Sequence, residues 1–294
     1  MGNKSKIDIT EDILDSFVSI LTKYTGIIPR ASHRDGIKNF IETSIAQKKC
    51  TIEEYKQLLS ENEDIISEFV NQSTVNETYF FREEKQFLLL KEKLFPMWKL
   101  KNPGKEMRIW SAACSYGEEA YSLAVMALTC GITPSVTATD INSDVLAHCS
   151  NGIFLGTSLR PIDGSLFHDL ILSYKREDGR LAFPEKIKSH IKTSQLNLVE
   201  LDSVLNTSLL PRNQNLIFIR NVFIYFSLDL RKMILKNIAE KFLAEDGYLF
   251  VSMSEIAQLD STVVPDCLEK VSDGSIFYFH KKTSGGKING SNLK

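Results

Sequence analysis

The segment RIWSAACSYGEEAYSLA (108–124) has the residue types of a cofactor loop. A β-like run passes into Ser111, Ala112, Ala113 and Gly117, small enough for a ligand and a backbone to approach closely, and Glu118 and Glu119 then open a helix. A phosphate-binding loop leaves its helix N-terminus free for an anion. Two carboxylates at that point repel phosphate and suit a ligand carrying an ammonium or a sulfonium. They also favour the helix dipole, so acidic capping is the competing reading.

Four further positions carry polar groups that such a ligand needs. Asp140 ends the next β-like run, 23 residues after Gly117, where an acid in a dinucleotide-type fold accepts ribose hydroxyls; a helix N-cap is the alternative. Asn197 and Leu198 follow a third run, an amide and an apolar side chain suited to an adenine edge and face. Arg220 and Asn221 interrupt the apolar run LIFIRNVFIYF, which is costly unless both are partnered. In VNETYFFREE (75–84), Asn76, Thr78 and Arg82 lie among aromatics; Phe80 and Phe81 read as packing.

These residues need a parallel sheet and something in front of it. Residues 8–95 read as helices: about 10–25, with Ile13, Phe17, Ile20 and Leu21 on one face, then 32–48, 51–60 and 62–72, and a longer one from about Glu83 that ends before Pro96. From Arg108 short apolar runs (RIWSAAC, VTATDI, HIKTSQLNL, LIFIRNVFIYF, YLFVSMS) alternate with helical stretches, which predicts an α/β fold with a parallel sheet. CLEKVSDGSIFYFHKK closes it as a hairpin around Asp273 and Gly274. The stretch 152–190, with turn signals at PIDG and at Glu177-Asp178-Gly179, is too long for a simple connection and reads as a small inserted subdomain. The expected division is 1–95 helical, 96–282 α/β with 152–190 inserted as a small β-subdomain, and a Gly/Ser/Asn-rich disordered tail at 283–294.

Composition narrows the function. With 43% hydrophobic residues and a net charge of −2, the chain can bury a core and has no overall charge for nucleic acid or an anionic membrane. No apolar stretch reaches the length of a membrane span, and the polar start lacks a signal-peptide core. Five cysteines without CxxC spacing suggest neither disulfides nor a metal site, consistent with a reducing cytoplasm.

Taken in order, NETYFFRE, WSAACSYGEEAYS, ATDIN, NL, RNVFIYF and DGYLFVSMSE resemble the chemotaxis receptor methyltransferase (CheR) family over about residues 10–282. The resemblance implies a Rossmann-like class I S-adenosylmethionine-dependent methyltransferase domain preceded by an all-α domain, with the cofactor between them. It implies that Asn76, Thr78 and Arg82 reach the cofactor, that Glu118 holds its amino group and Asp140 its ribose, that Asn197 and Leu198 border its adenine, that Arg220 and Asn221 take the remaining edge, and that Tyr225 lies near the transferred methyl. The implied reaction converts receptor glutamates to methyl esters and S-adenosylmethionine to S-adenosylhomocysteine, on the cytoplasmic helical region of a chemoreceptor, by a monomer needing no metal.

Some positions depart from the family. Tyr116 and Ala120 replace a common Thr and Pro, and Ser252-Met253-Ser254-Glu255 replaces a Gly-His-Ser-Glu, away from the expected chemistry. The receptor-docking helix is thinned of basic residues: 23–49 carries Lys23, Arg30, Arg34, Lys38, Lys48 and Lys49 against Asp35 and Glu42, net +4. A glutamate is already ionised near neutral pH, with a reference pKa of about 4.3, so no general base is required and none of the five histidines is assigned as one. Arg82 is the candidate to orient the carboxylate, with cofactor binding as its alternative. A small-molecule methyltransferase and a non-catalytic cofactor-binding scaffold are the competing functions.

Overall fold

A computed structural model of the chain describes residues 8–160, 165–203 and 212–282. The predicted tail at 283–294 and the PIDG turn at 161–164 lie outside the described residues. Four helices come first: α1 (Glu11–Thr25), α2 (Ala31–Lys48), α3 (Ile52–Glu61) and α4 (Glu63–Ser73). Local signals set their ends. Thr10 caps α1 and Gly26 stops it in a left-handed conformation, while Thr51 and Glu54 form a capping box on α3. The apolar stripes meet in a core of Phe17, Leu21, Ile37, Ile41, Tyr55 and Phe69, separate from the cores of the sheet. A side chain such as Phe17, fully buried, contributes about 1.5–3 kcal/mol.

The next helix does not stop at Pro96. It runs as α5 (Glu84–Leu89), a π turn (Leu90–Leu94) and α6 (Phe95–Lys101), with Pro96 inside it. The wide turn closes Phe95 N–H onto the Leu90 carbonyl and puts Pro96, which lacks an N–H, in the first turn of α6 where none is needed.

The chain then alternates β1 (Met107–Ala112), α7 (Glu118–Thr129), β2 (Pro134–Asp140) and α8 (Ser143–Asn151). The insertion follows: β3 (Ile153–Phe154), α9 (His168–Leu172), β4 (Leu181–Ala182) and α10 (Glu185–Lys188). Its β content is a single antiparallel pair of two-residue strands; aromatics do most of the packing, with Phe154 5.0 Å from Phe80 and Phe183 4.5 Å from Tyr121 between ring centroids. The chain resumes with β5 (Ile191–Gln195), β6 (Gln214–Ile219), α11 (Leu228–Asn237), β7 (Leu243–Phe250), β8 (Leu268–Asp273) and β9 (Ile276–Lys281).

The strand order is β5-β2-β1-β6-β7-β9-β8, parallel as far as β7 and antiparallel for the closing hairpin. The chain moves outward from β1 on one side and returns on the other, so the switch point lies at the carboxyl ends of β1 and β6. Several predicted strands are shorter than their apolar runs. RIWSAAC ends at Ala112, and LIFIRNVFIYF ends at Ile219, beyond which Phe223–Tyr225 form a 3-10 turn. These are the places where backbone leaves the ladder to build a site.

Candidate active site

The loop after β1 is held in an uncommon shape. Ala113 (φ 58°), Ser115 (φ 52°) and Gly117 (φ 103°) all take left-handed conformations, costly for the first two. Cys114 N–H donates to the Thr139 carbonyl at 2.9 Å, and Ser115 N–H donates to Asp140 Oδ2 at 2.8 Å. A Cβ on Gly117 would stand 2.4 Å from Cys149 Sγ. Gly117→Ala therefore combines overpacking with backbone strain and is expected to cost about 1–3 kcal/mol. A melting temperature equal to wild type would show that Cys149 yields.

The two carboxylates opening α7 part company. Glu119 accepts from Ser111 Oγ at 2.6 Å and from Arg220 Nε at 2.7 Å, and it lines a cleft. Glu118 does not line it. Its side chain turns toward the insertion, accepts from Ser158 Oγ at 2.8 Å, and leaves Oε2 buried without a partner among the described residues. Burial raises its pKa, partly offset by the Ser158 bond. The expectation that Glu118 holds the cofactor's amino group is thus corrected: adjacent helical residues point about 100° apart, and the inward one is Glu119.

Asp140 is buried at the end of β2. Besides Ser115 N–H, it accepts Asn142 N–H at 3.0 Å. Burial raises its pKa, while the amides of Asn142, Ser115 and Ile141 pull it down. Asn197 is already engaged: Nδ2 donates to the Tyr24 carbonyl at 2.8 Å and Oδ1 accepts from Val199 N–H at 3.3 Å. It ties α1 to the sheet as well as bordering the cleft, and Leu198 lies beside it.

Arg220 is 6% exposed and fixed on every side. Beyond Glu119 it donates to the Arg82 carbonyl at 2.6 Å and to Gln86 Oε1 at 3.1 Å, between the rings of Phe87 and Phe218. Asn221 is left-handed (φ 58°) and donates to Ser252 Oγ at 3.0 Å. Glu255 lies underneath, fully buried, and accepts N–H groups of Asn221 at 2.7 Å and Ile224 at 3.2 Å. The segment 252–255 therefore supports the site directly, contrary to its expected distance from the chemistry. Those two bonds replace the ladder partners that a longer β6 would have used. Tyr225 follows on the 3-10 turn, with its pKa raised by burial.

From the linker after α4, Asn76 Nδ2 donates to Thr74 Oγ1 at 3.2 Å, and Arg82 donates to the Glu77 carbonyl at 2.8 Å with its guanidinium 5.6 Å from the Tyr79 ring centre. The cleft joins these pieces. It holds about 1010 Å³ of empty space, its open mouth included, and is walled by Asn76, Thr78, Arg82, Glu119, Asp140, Asn197, Leu198, Arg220, Asn221 and Tyr225. Sequence reasoning named Glu119 only as the companion of Glu118 and missed Ser73, Ser115 and His33, which also line it.

The wall fits S-adenosylmethionine. Apolar Ile141, Leu196 and Leu198 lie at the Asp140 end, carboxylates Glu119 and Asp140 suit an ammonium and ribose hydroxyls, and the hydroxyls of Ser73 and Ser115 are buried without a partner among the described residues. A Rossmann-like sheet with this cleft at its switch point defines an S-adenosylmethionine-dependent methyltransferase. Residues 76–269 match the family described as CheR methyltransferase, SAM binding domain. A chemotaxis protein methyltransferase of Vibrio anguillarum is 31% identical over 85% of this chain and 90% of its own length, and one of Borreliella burgdorferi is 30% identical over 85% and 89%. Chemotaxis protein methyltransferase 1 of Vibrio cholerae is 35% identical over 66% of this chain and 70% of its own. The chain belongs to the CheR family.

Proposed function

We propose that the protein methylates glutamate side chains in the cytoplasmic helical region of a chemoreceptor, as a cytoplasmic monomer with domains at 1–95 and 96–282. The carrying observation is the single cleft: nine of the ten residues expected to serve cofactor and chemistry, in a chain of this family, share one wall between the helical region and the sheet. Bound S-adenosylmethionine supplies a methyl group activated by the sulfonium. Asp140 takes the ribose, Glu119 the ammonium group, and Leu198 with Asn197 the adenine side. Arg82 faces the cofactor carboxylate, and Arg220 holds Glu119 in place.

The glutamate Oε forms the new bond to the methyl carbon as the bond from that carbon to sulfur breaks. The sulfonium charge and the carboxylate charge are lost together. Exclusion of water and alignment are what the cleft contributes. The Tyr225 hydroxyl keeps its proton near neutral pH, as a tyrosine ordinarily does, with burial raising its pKa further, and so can donate at the reaction centre.

The test is transfer of labelled methyl to a purified receptor cytoplasmic fragment, read as base-labile ester. Transfer only to small carboxylic acids would favour a small-molecule enzyme, and cofactor binding without transfer a scaffold. His33 lines the cleft with its ring centre 6.3 Å from that of Tyr225, yet an ionised carboxylate needs no base. The single-turnover rate of His33→Ala is expected within about threefold of wild type, well short of the ~10²-fold that general-base catalysis supplies. A hundredfold fall in the folded variant would reveal a base.

A further inference from the structure

We propose that Arg30 orients the substrate carboxylate at the mouth of the cleft and so determines specificity for an acidic side chain; this rests on the methyl-transfer reading above. In sequence the basic face at 23–49, with Arg30, Arg34 and Lys38 among its residues, is the expected receptor-docking surface. In the structure Arg34 is spent: its guanidinium bonds Glu11 at 2.9 Å and Asp15 at 2.6 Å, both on α1. The neighbouring arginines have partners as well, and Arg82 is the one assigned to the cofactor carboxylate. Arg220 is paired with Glu119, Arg82 bonds the Glu77 carbonyl, and Arg160 is paired with the Glu77 carboxylate.

Arg30 differs. It is exposed and its guanidinium has no ion pair or hydrogen bond among the described residues. It lies 5.6 Å from the centre of the Tyr225 ring, whose residue lines the cleft. The Ile28 N–H donates to the Tyr225 carbonyl at 2.8 Å, which fixes the α1–α2 loop to the 3-10 turn. A guanidinium held over a ring by one side still offers N–H groups elsewhere, and its fork matches a carboxylate in two parallel bonds. Its surroundings add to the attraction. The first turn of α2 holds no acidic residue and no side-chain cap, so its free N–H groups leave positive potential beside Arg30. Ile28, whose N–H bonds the Tyr225 carbonyl, is 51% exposed and would border an apolar neighbour of the reacting residue.

The experiment uses the full chain and a receptor cytoplasmic fragment at saturating S-adenosylmethionine. Arg30 is exposed, so its variants should fold. Arg30→Ala is expected to lower kcat/KM for the fragment at least about tenfold, the low end for loss of a charge-assisted hydrogen bond. Arg30→Lys, which keeps the charge but not the fork, should fall between. Affinity for S-adenosylhomocysteine by calorimetry should stay within about twofold of wild type, since the cofactor groups lie deeper. Unchanged fragment kinetics in Arg30→Ala would overturn the proposal. So would a matching loss of S-adenosylhomocysteine affinity, which would assign Arg30 to the cofactor. A wild type that methylates no fragment would instead remove the reaction on which the proposal stands, and the proposal with it.

Discussion

Glu119→Gln is expected to lose about 100-fold in affinity for S-adenosylhomocysteine, while Glu118→Gln next to it loses almost nothing. Glu119 pairs with Arg220, their side chains being only 11% and 3% exposed. Losing the charge-assisted bond to the ligand ammonium costs about 1.5–3 kcal/mol, at its upper end roughly two decades in binding. Arg220 keeps Gln86 and has Glu83 at 3.8 Å, so the wall of the cleft stays in place. Glu118 behaves differently because it faces the insertion with an unpartnered Oε2.

The pH dependence of Glu118 has a defined sign. Its folded pKa is raised, so the folded state holds the proton more tightly than the unfolded chain. Its contribution is full below the unfolded value, near 4.5, and is lost as pH rises through the folded value. Glu118→Gln removes that loss, so the variant should gain melting temperature relative to wild type on going from pH 4 to pH 8. Calorimetric titration and melts at the two pH values decide the matter. Equal binding losses in both variants would return the ammonium role to Glu118.

Asp140→Ala should be comparably severe. Its carboxylate anchors the Ser115 and Asn142 amides and has lone pairs left for ribose hydroxyls. Each charge-assisted bond contributes about 1.5–3 kcal/mol, so losing two ligand bonds weakens binding by about 10²-fold or more. The loop needs its own control, because the strained Ser115 depends on the same carboxylate. Circular dichroism and melting temperature of the cofactor-free variant report on folding, and calorimetry on binding. A folded variant with wild-type S-adenosylhomocysteine affinity would mean that the ribose lies elsewhere.

The alternation of short apolar runs with helical periods was enough to read the fold class, and the polar interruptions at Asp140, Arg220 and Asn221 were enough to find the cleft. Two kinds of information were not local. Helix rotation is one: Glu118 and Glu119 have the same chemistry and the same capping value, and only Ser158 and Arg220, 40 and 101 residues away, separate them. Support from beneath is the other. Glu255 lies 34 residues after Asn221 and looks in sequence like any acidic residue past a strand. Pro96 misled because its usual effect holds for a regular helix, and a π turn precedes it. The charge count over 23–49 was right as a sum, but it could not show that Arg34 is neutralised by α1 while Arg30 is left free.

The seam between the helices and the sheet crosses the cleft. Asn71 exchanges hydrogen bonds with Ser143, Asn142 donates to the Asn71 carbonyl and Thr74, and Asn197 donates to the Tyr24 carbonyl, all at or beside cleft-lining residues. With the cofactor held in that cleft as proposed, whatever changes the separation of the two parts would change its affinity, and the reverse would hold by the same factor. A receptor helix seated on both Arg30 and the sheet side of the mouth would act as a clamp, slowing release of cofactor and product until it departs. Receptor and cofactor would then bind with positive cooperativity, set by how much the seam closes rather than by any contact between the two ligands.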